Sequence, residues 1–205
     1  MTKAKNNTVK HFNSLITKLQ KYGTGKNGGL DRKYESLCVK IIDILFKTHF
    51  YCWDPKDVKE NKKKCTQKPI INKDVVYQKR DLIVPIKYHQ ELPEFWKFIY
   101  TTLNNRYITF EFKNYEKPIT QNEIFTTEKY LYIKALRSVA IIFTRKGVDK
   151  NGQFAIHGAI RESGKFILVL NDDDIIKMLE ISRDGGDATD YLFNKIDELL
   201  IGLPK

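Results

Sequence analysis

The sequence predicts an α/β fold, a mixed β-sheet core flanked by helices on both faces, and three observations carry that expectation. Helix-periodic segments alternate with short β-prone runs through the second half of the chain. Two of those runs, SVAIIF (138–143) and FILVL (166–170), are apolar throughout, as interior strands covered on both faces are. A third run, YITFEFK (107–113), alternates. It sets Ile108, Phe110 and Phe112 on one side and Tyr107, Thr109, Glu111 and Lys113 on the other.

The elements follow in order along the chain. Val9, Phe12, Ile16 and Leu19 recur at helical spacing, so residues 8–22 read as a short amphipathic helix. GTGKNGG (23–29) breaks that pattern and reads as a hinge or linker. Residues 1–30 are therefore expected to form a basic helix and Gly-rich linker, with the main domain at 31–205. A longer helix is predicted from Asp31, an N-cap candidate, with Tyr34, Leu37, Cys38, Ile41, Leu45 and Thr48 in one stripe and Glu35 beside it. Residues 54–73 are polar and Lys-rich, as an exposed loop would be. VVYQKRDLIVPIKY (75–88) then carries two short β-prone runs, with Asp81 at the start of the second. Leu92–Leu103 reads as a helix with Phe95, Trp96, Ile99 and Leu103 inward. Strand 107–113 is followed by Pro118 and by a helix over about 120–134. Helices near 151–162, 172–182 and 187–201 complete the pattern, with Asn171 or Asp172 capping the second of these.

Composition narrows the function. The chain has 205 residues, 41% hydrophobic and 30% charged, enough for one compact domain with a core. No apolar run approaches the roughly 18 residues of a membrane helix, and the Lys-rich start lacks the apolar stretch of a secretory signal. The three cysteines are an odd number without a CxxC pair, so a disulfide framework is not expected and a cytoplasmic compartment fits. His49, Cys52 and Cys65 offer three ligands where a closed zinc site needs four. The net charge is +11. Residues 1–30 hold six Lys and no acid, and residues 56–68 hold six Lys against Asp57 and Glu60. A solvated tail and loop would account for either run alone. An excess this large favours nucleic acid or another polyanion as partner.

Glu111 and Lys113 lie two apart on one face of a strand, so acid and amine project together. Alone, such a pair is most often a surface ion pair. Asp81, at the start of a preceding strand, changes the weighting. RDLIVPI (80–86) followed by FEFKNY (110–115) resembles the PD-(D/E)xK nuclease superfamily, of restriction-endonuclease-like fold. FEFKNYEKPI, then a helix, then SVAIIF is most similar to its Mrr-like branch. The resemblance spans roughly residues 31–182. It departs from the motif at Arg80, where the superfamily's name has Pro.

That resemblance implies a restriction-endonuclease-like mixed sheet and a metal-dependent endonuclease hydrolysing phosphodiester bonds in DNA, in restriction or antiviral defence. It implies Asp81 and Glu111 as ligands of Mg²⁺ (or Mn²⁺), Lys113 as the residue assisting the attacking water, and Glu35 as a further metal ligand from the preceding helix. The chemistry is independently sound: two carboxylates form a hard oxygen site, and a neighbouring amine neutralises developing charge. Lys117, Arg137, Arg145 and Lys146 are candidate phosphate contacts, as are Lys62, Lys63 and Lys64 in the basic loop. Cutting both strands calls for a homodimer or a larger defence complex. The rival readings are a non-catalytic DNA-binding module of the same fold, and an RNase or junction resolvase.

Overall fold

The computed structural model describes residues 2–25, 30–51 and 82–204. Among them, helices α1 (Thr2–Lys21) and α2 (Leu30–Phe46) precede strand β1 (Leu82–Pro85) and the short helix α3 (Glu94–Lys97), which continues as a π-turn over Phe98–Thr102. Strand β2 (Tyr107–Lys113), helix α4 (Gln121–Glu128), strand β3 (Val139–Thr144), helix α5 (Lys150–Ser163) and strand β4 (Phe166–Leu170) alternate. Helices α6 (Asp172–Arg183) and α7 (Ala188–Ile201) follow.

The four strands form one sheet in the order β1-β2-β3-β4. β1 runs antiparallel to β2, while β2, β3 and β4 are mutually parallel, so the sheet is mixed. Each parallel step needs a crossover, and α4 and α5 supply the two. β1 carries Pro85, which an edge strand accommodates because one of its sides needs no ladder donor. All six residues of β3 are buried, as its unbroken apolar run predicts for an interior strand.

Strand parity divides the interior into two cores. Ile108, Phe110 and Phe112 of β2 join Val139, Ile141 and Phe143 of β3 in the larger, which α1, α2, α3, α6 and α7 cover. Ala140, Ile142 and Ile167 turn the other way, onto Ile124 of α4 and Ala155, Ile156 and Ala159 of α5. Each fully buried aliphatic or aromatic side chain contributes about 1.5–3 kcal/mol, so neither layer is dispensable.

Helix α1 begins earlier than its apolar spacing suggests and belongs to the larger core through Phe12, Leu15, Ile16 and Leu19. Val9 points to solvent, and Leu15 takes its place in the stripe. In α2 the buried stripe is Tyr34, Leu37, Cys38, Ile41, Ile42 and Phe46, and Leu45 lies at its margin. Helix α4 stops at Glu128, six residues short of expectation. The chain there turns through a 3-10 segment (Ile133–Ala135) into Leu136, whose left-handed backbone (φ 53°) starts the approach to β3.

Candidate active site at the carboxyl end of the parallel strands

Because β2 and β3 are parallel and in register, Glu111 lies beside Ile142 and Lys113 beside Thr144. Both charged side chains therefore project onto the face that α4 and α5 cover. Lys113 Nζ donates to Glu111 Oε2 at 3.0 Å. The Glu111 side chain is only 3% exposed and that of Lys113 20%. This is neither a solvated pair nor a half-buried strand: both faces of β2 are covered, and a charged couple sits at its carboxyl end. Thr109, on the same face, buries its hydroxyl with no hydrogen-bond partner among the described residues.

Open sheets bind ligands beyond the carboxyl ends of their parallel strands, where the connections diverge. Several candidates gather there. Leu82, the first residue of β1, is registered opposite Phe110, so the antiparallel strand begins next to the Glu111 position. Asp81 itself lies outside the described residues, as do Lys62, Lys63, Lys64, Cys52 and Cys65. Lys117 and Lys146 are exposed in the loops after β2 and β3. Those loops are bound to each other, Ile119 donating to Gly147 and Asp149 donating to Ile119, each at 2.9 Å. Gly147, at φ 73°, makes the turn after β3, and its N–H donates to Thr144 Oγ1 at 2.7 Å.

Two expected phosphate contacts are placed elsewhere. Arg137 precedes β3, at the amino end of the parallel strands, and its Nε donates to the Tyr130 carbonyl at 3.0 Å. The length of a six-residue strand, about 20 Å, separates it from the Lys113 end. Arg145 is at the right end but faces inward and is buried. Its Nε donates to Asp172 Oδ2 at 2.6 Å, and its Nη1 to the Gly23 carbonyl and Asn114 Oδ1, both at 3.2 Å. Nη2 donates to the Leu19 carbonyl at 3.3 Å, and the guanidinium lies 5.4 Å from the centre of the Tyr34 ring. With its hydrogen bonds spent on the end of α1, the residue after Lys113 and the start of α6, it is a clamp and not a phosphate contact. Burial pushes the Asp172 carboxyl above its ordinary range, and the hydrogen bond and charge of Arg145 pull it back.

Asn114, which carries no motif of its own, completes that clamp. Its backbone carbonyl accepts from Gly25 N at 2.9 Å and its Nδ2 donates to the Gly25 carbonyl at 3.0 Å. The start of the Gly-rich segment is thereby stapled to the residue next to Lys113. Glu35 is partly buried on α2, which packs on the Phe110 and Phe112 face of the sheet.

Two acids of NDDD (171–174), Asp172 and Asp174, are engaged within the fold, and Asp173 is exposed. Asn171 caps α6 and Asp174 closes the capping box, while also accepting from Tyr191 Oη at 2.6 Å. His49 Nδ1 accepts from Trp96 Nε1 at 3.0 Å. Among the described residues no three His, Cys, Asp or Glu side chains converge as a metal group. Mg²⁺ needs no such cage, since it retains several waters and binds through one or two carboxylates. Glu111, a buried carboxylate with an amine beside it, is a donor of the required kind.

Compared with known protein families, curated proteins and solved structures, the chain matches none.

Proposed function

We propose that the protein is a metal-dependent endonuclease of restriction-endonuclease-like fold that hydrolyses phosphodiester bonds in DNA. The observation that carries this reading is the Glu111–Lys113 pair, 3.0 Å apart and withdrawn from solvent at the carboxyl end of the parallel strands. A buried ion pair is a poor source of stability, because desolvating both charges offsets their attraction. A fold that keeps one at the end of a strand is more simply explained by chemistry there. The mixed sheet between two helical layers agrees with what the motif resemblance implies, and the +11 charge suits a polyanionic substrate.

In this reading Glu111 and Asp81 would hold Mg²⁺ or Mn²⁺, while Glu35, on the helix that covers the opposite face of the sheet, is not brought to Glu111. The ion supplies, when bound, a more acidic water and a polarised phosphate. The Lys113 ammonium would face the attacking water or a non-bridging phosphate oxygen, neutralising the charge that develops there. The covered face excludes bulk water from the pair and strengthens each of these interactions. Lys117 and Lys146, exposed on the adjoining loops, contact the flanking backbone without reading sequence. Restriction or defence against foreign DNA, in the cytoplasm, is the setting that the resemblance implies.

The test is a substrate panel of supercoiled plasmid, linear duplex, single-stranded DNA and RNA, with Mg²⁺ or EDTA. Cleavage of DNA with Mg²⁺, abolished by EDTA and by Lys113→Met while DNA binding persists, is the expected result. Binding to DNA without cleavage in Mg²⁺ or Mn²⁺ would assign the chain to a binding module. Cleavage confined to RNA would move it to the ribonucleases.

A further inference from the structure

On the outer side of α4 and α5, away from the sheet, a groove of about 320 Å³ runs between the two helices. Phe125 of α4 and Phe154 of α5 line it and stand 45% and 57% exposed, although both are large and apolar. Its floor is Ala155, Gly158 and Ala159. Gly158 is the informative residue. Glycine inside a helix costs about as much as any residue except proline, and something usually requires it. Here nothing among the described residues does: a Cβ at Gly158 would meet none of their atoms within 4 Å. The missing side chain leaves a hollow that none of the described residues fills.

The pattern along α5 says what fits the hollow. Lys150, Phe154, Gly158 and Glu162 are spaced four apart and form one row on the helix surface. Ile156, at the midpoint of that row in sequence, is buried on the opposite side. The row is complementary to itself when reversed. Turned end for end about the level of residue 156, it sets Lys150 against Glu162, Phe154 against Gly158, Gly158 against Phe154 and Glu162 against Lys150. A bulky residue meets the hollow and opposite charges meet at both ends. Asn151 and Arg161, both exposed, exchange places under the same operation. A two-fold interface requires this self-complementarity of one patch.

We infer that the α4–α5 groove is the homodimer interface of this protein, the partner being a second copy whose α5 crosses antiparallel and seats its Phe154 over Gly158. The twelve steps from Lys150 to Glu162 span about 18 Å, so the amino ends of the two α5 helices lie on that scale apart. These ends adjoin the loops carrying Lys117 and Lys146. A dimer of this form presents two candidate sites, one for each strand of a duplex, but the interface does not depend on the catalytic reading.

Sedimentation velocity on the full chain tests it without any activity measurement. The wild type should be a dimer at tens of micromolar. Lys150→Glu and Glu162→Lys should each weaken it at least tenfold, since each sets like charges together twice. Mixed in equal amounts, these two variants should re-form a heterodimer, because both contacts then pair opposite charges. Gly158→Leu should abolish dimerisation while leaving the melting temperature of the monomer undiminished. A monomeric wild type at 100 micromolar, single variants that associate like the wild type, or a mixture that stays monomeric would each overturn the assignment.

Discussion

Lys113→Met isolates what the Glu111–Lys113 pair is for. The substitution keeps most of the apolar stem and removes the ammonium 3.0 Å from Glu111 Oε2. The carboxylate that remains is 3% exposed. Breaking a buried pair from one side costs about 3–5 kcal/mol, and the 20% exposure of Lys113 argues for the lower end, about 3 kcal/mol. Glu111→Leu should cost about 1 kcal/mol, because the amine left behind reaches solvent along its flexible stem. The double variant Glu111→Leu/Lys113→Met replaces both charges with apolar groups and should lie within about 1 kcal/mol of the wild type. The cycle therefore carries a coupling of about 3 kcal/mol, where a solvated pair gives at most about 1. In a domain of this length each kcal/mol moves the midpoint about 2–4 °C, so Lys113→Met should melt some 6–12 °C low. Urea unfolding followed by two independent probes measures the cycle, and nuclease assays on the same samples measure the chemistry. A double variant that is stable yet cuts nothing would show that the pair is kept for function. Coupling below 1 kcal/mol would refute the claim that the pair is effectively buried, and cleavage by the double variant would refute the catalytic assignment.

Arg145→Met should lower stability by about 3–5 kcal/mol in urea titrations, because it strands Asp172 and the carbonyls of Leu19 and Gly23. Lys117→Ala and Lys146→Ala should instead leave stability within about 0.5 kcal/mol and each lower the salt slope of DNA binding by about one. A stable Arg145→Met protein with a reduced salt slope would return Arg145 to the phosphate contacts. Burial holds the pKa of His49 below its ordinary 6.5, with His89 adding to the effect and Asp187 opposing it. The unfolded chain then binds more protons, so stability present above pH 6.5 drains as pH falls through that value toward the folded pKa. His49→Gln keeps an acceptor for Trp96 and should flatten the stability profile between about pH 7 and pH 5. An unchanged profile would remove His49 as the cause.

The element order was legible because strands and helices impose different apolar periods, and the runs at 138–143 and 166–170 admit few alternatives. The site was legible only as a motif. Alternation in β2 shows that Glu111 and Lys113 share a face, but not that α4 and α5 cover it, since covering is a property of other segments. Arg145 was misread for the same reason. A basic residue just after a strand resembles a surface contact until partners more than a hundred residues away are in place. Asn114 carried no local signal, as its partners, Gly23 and Gly25, lie in a segment that reads as a free linker. The early end of α4 was obscured because Leu131 keeps helical spacing and is buried, although a turn, not a helix, delivers it.

The clamp around Arg145 has a consequence in time. Its guanidinium closes on the Leu19 carbonyl across 126 residues of sequence. A ribosome adding about 5–20 residues per second reaches Arg145 some 6–25 seconds after Leu19. Throughout that interval the apolar stripe of α1, with Phe12, Leu15, Ile16 and Leu19, waits for strands not yet made. The six lysines and absent acids of residues 1–30 give the nascent segment a repulsive charge that keeps such stripes from associating with one another. The basic composition that suits a polyanionic substrate thus also protects the first helix while it waits for the rest of its core.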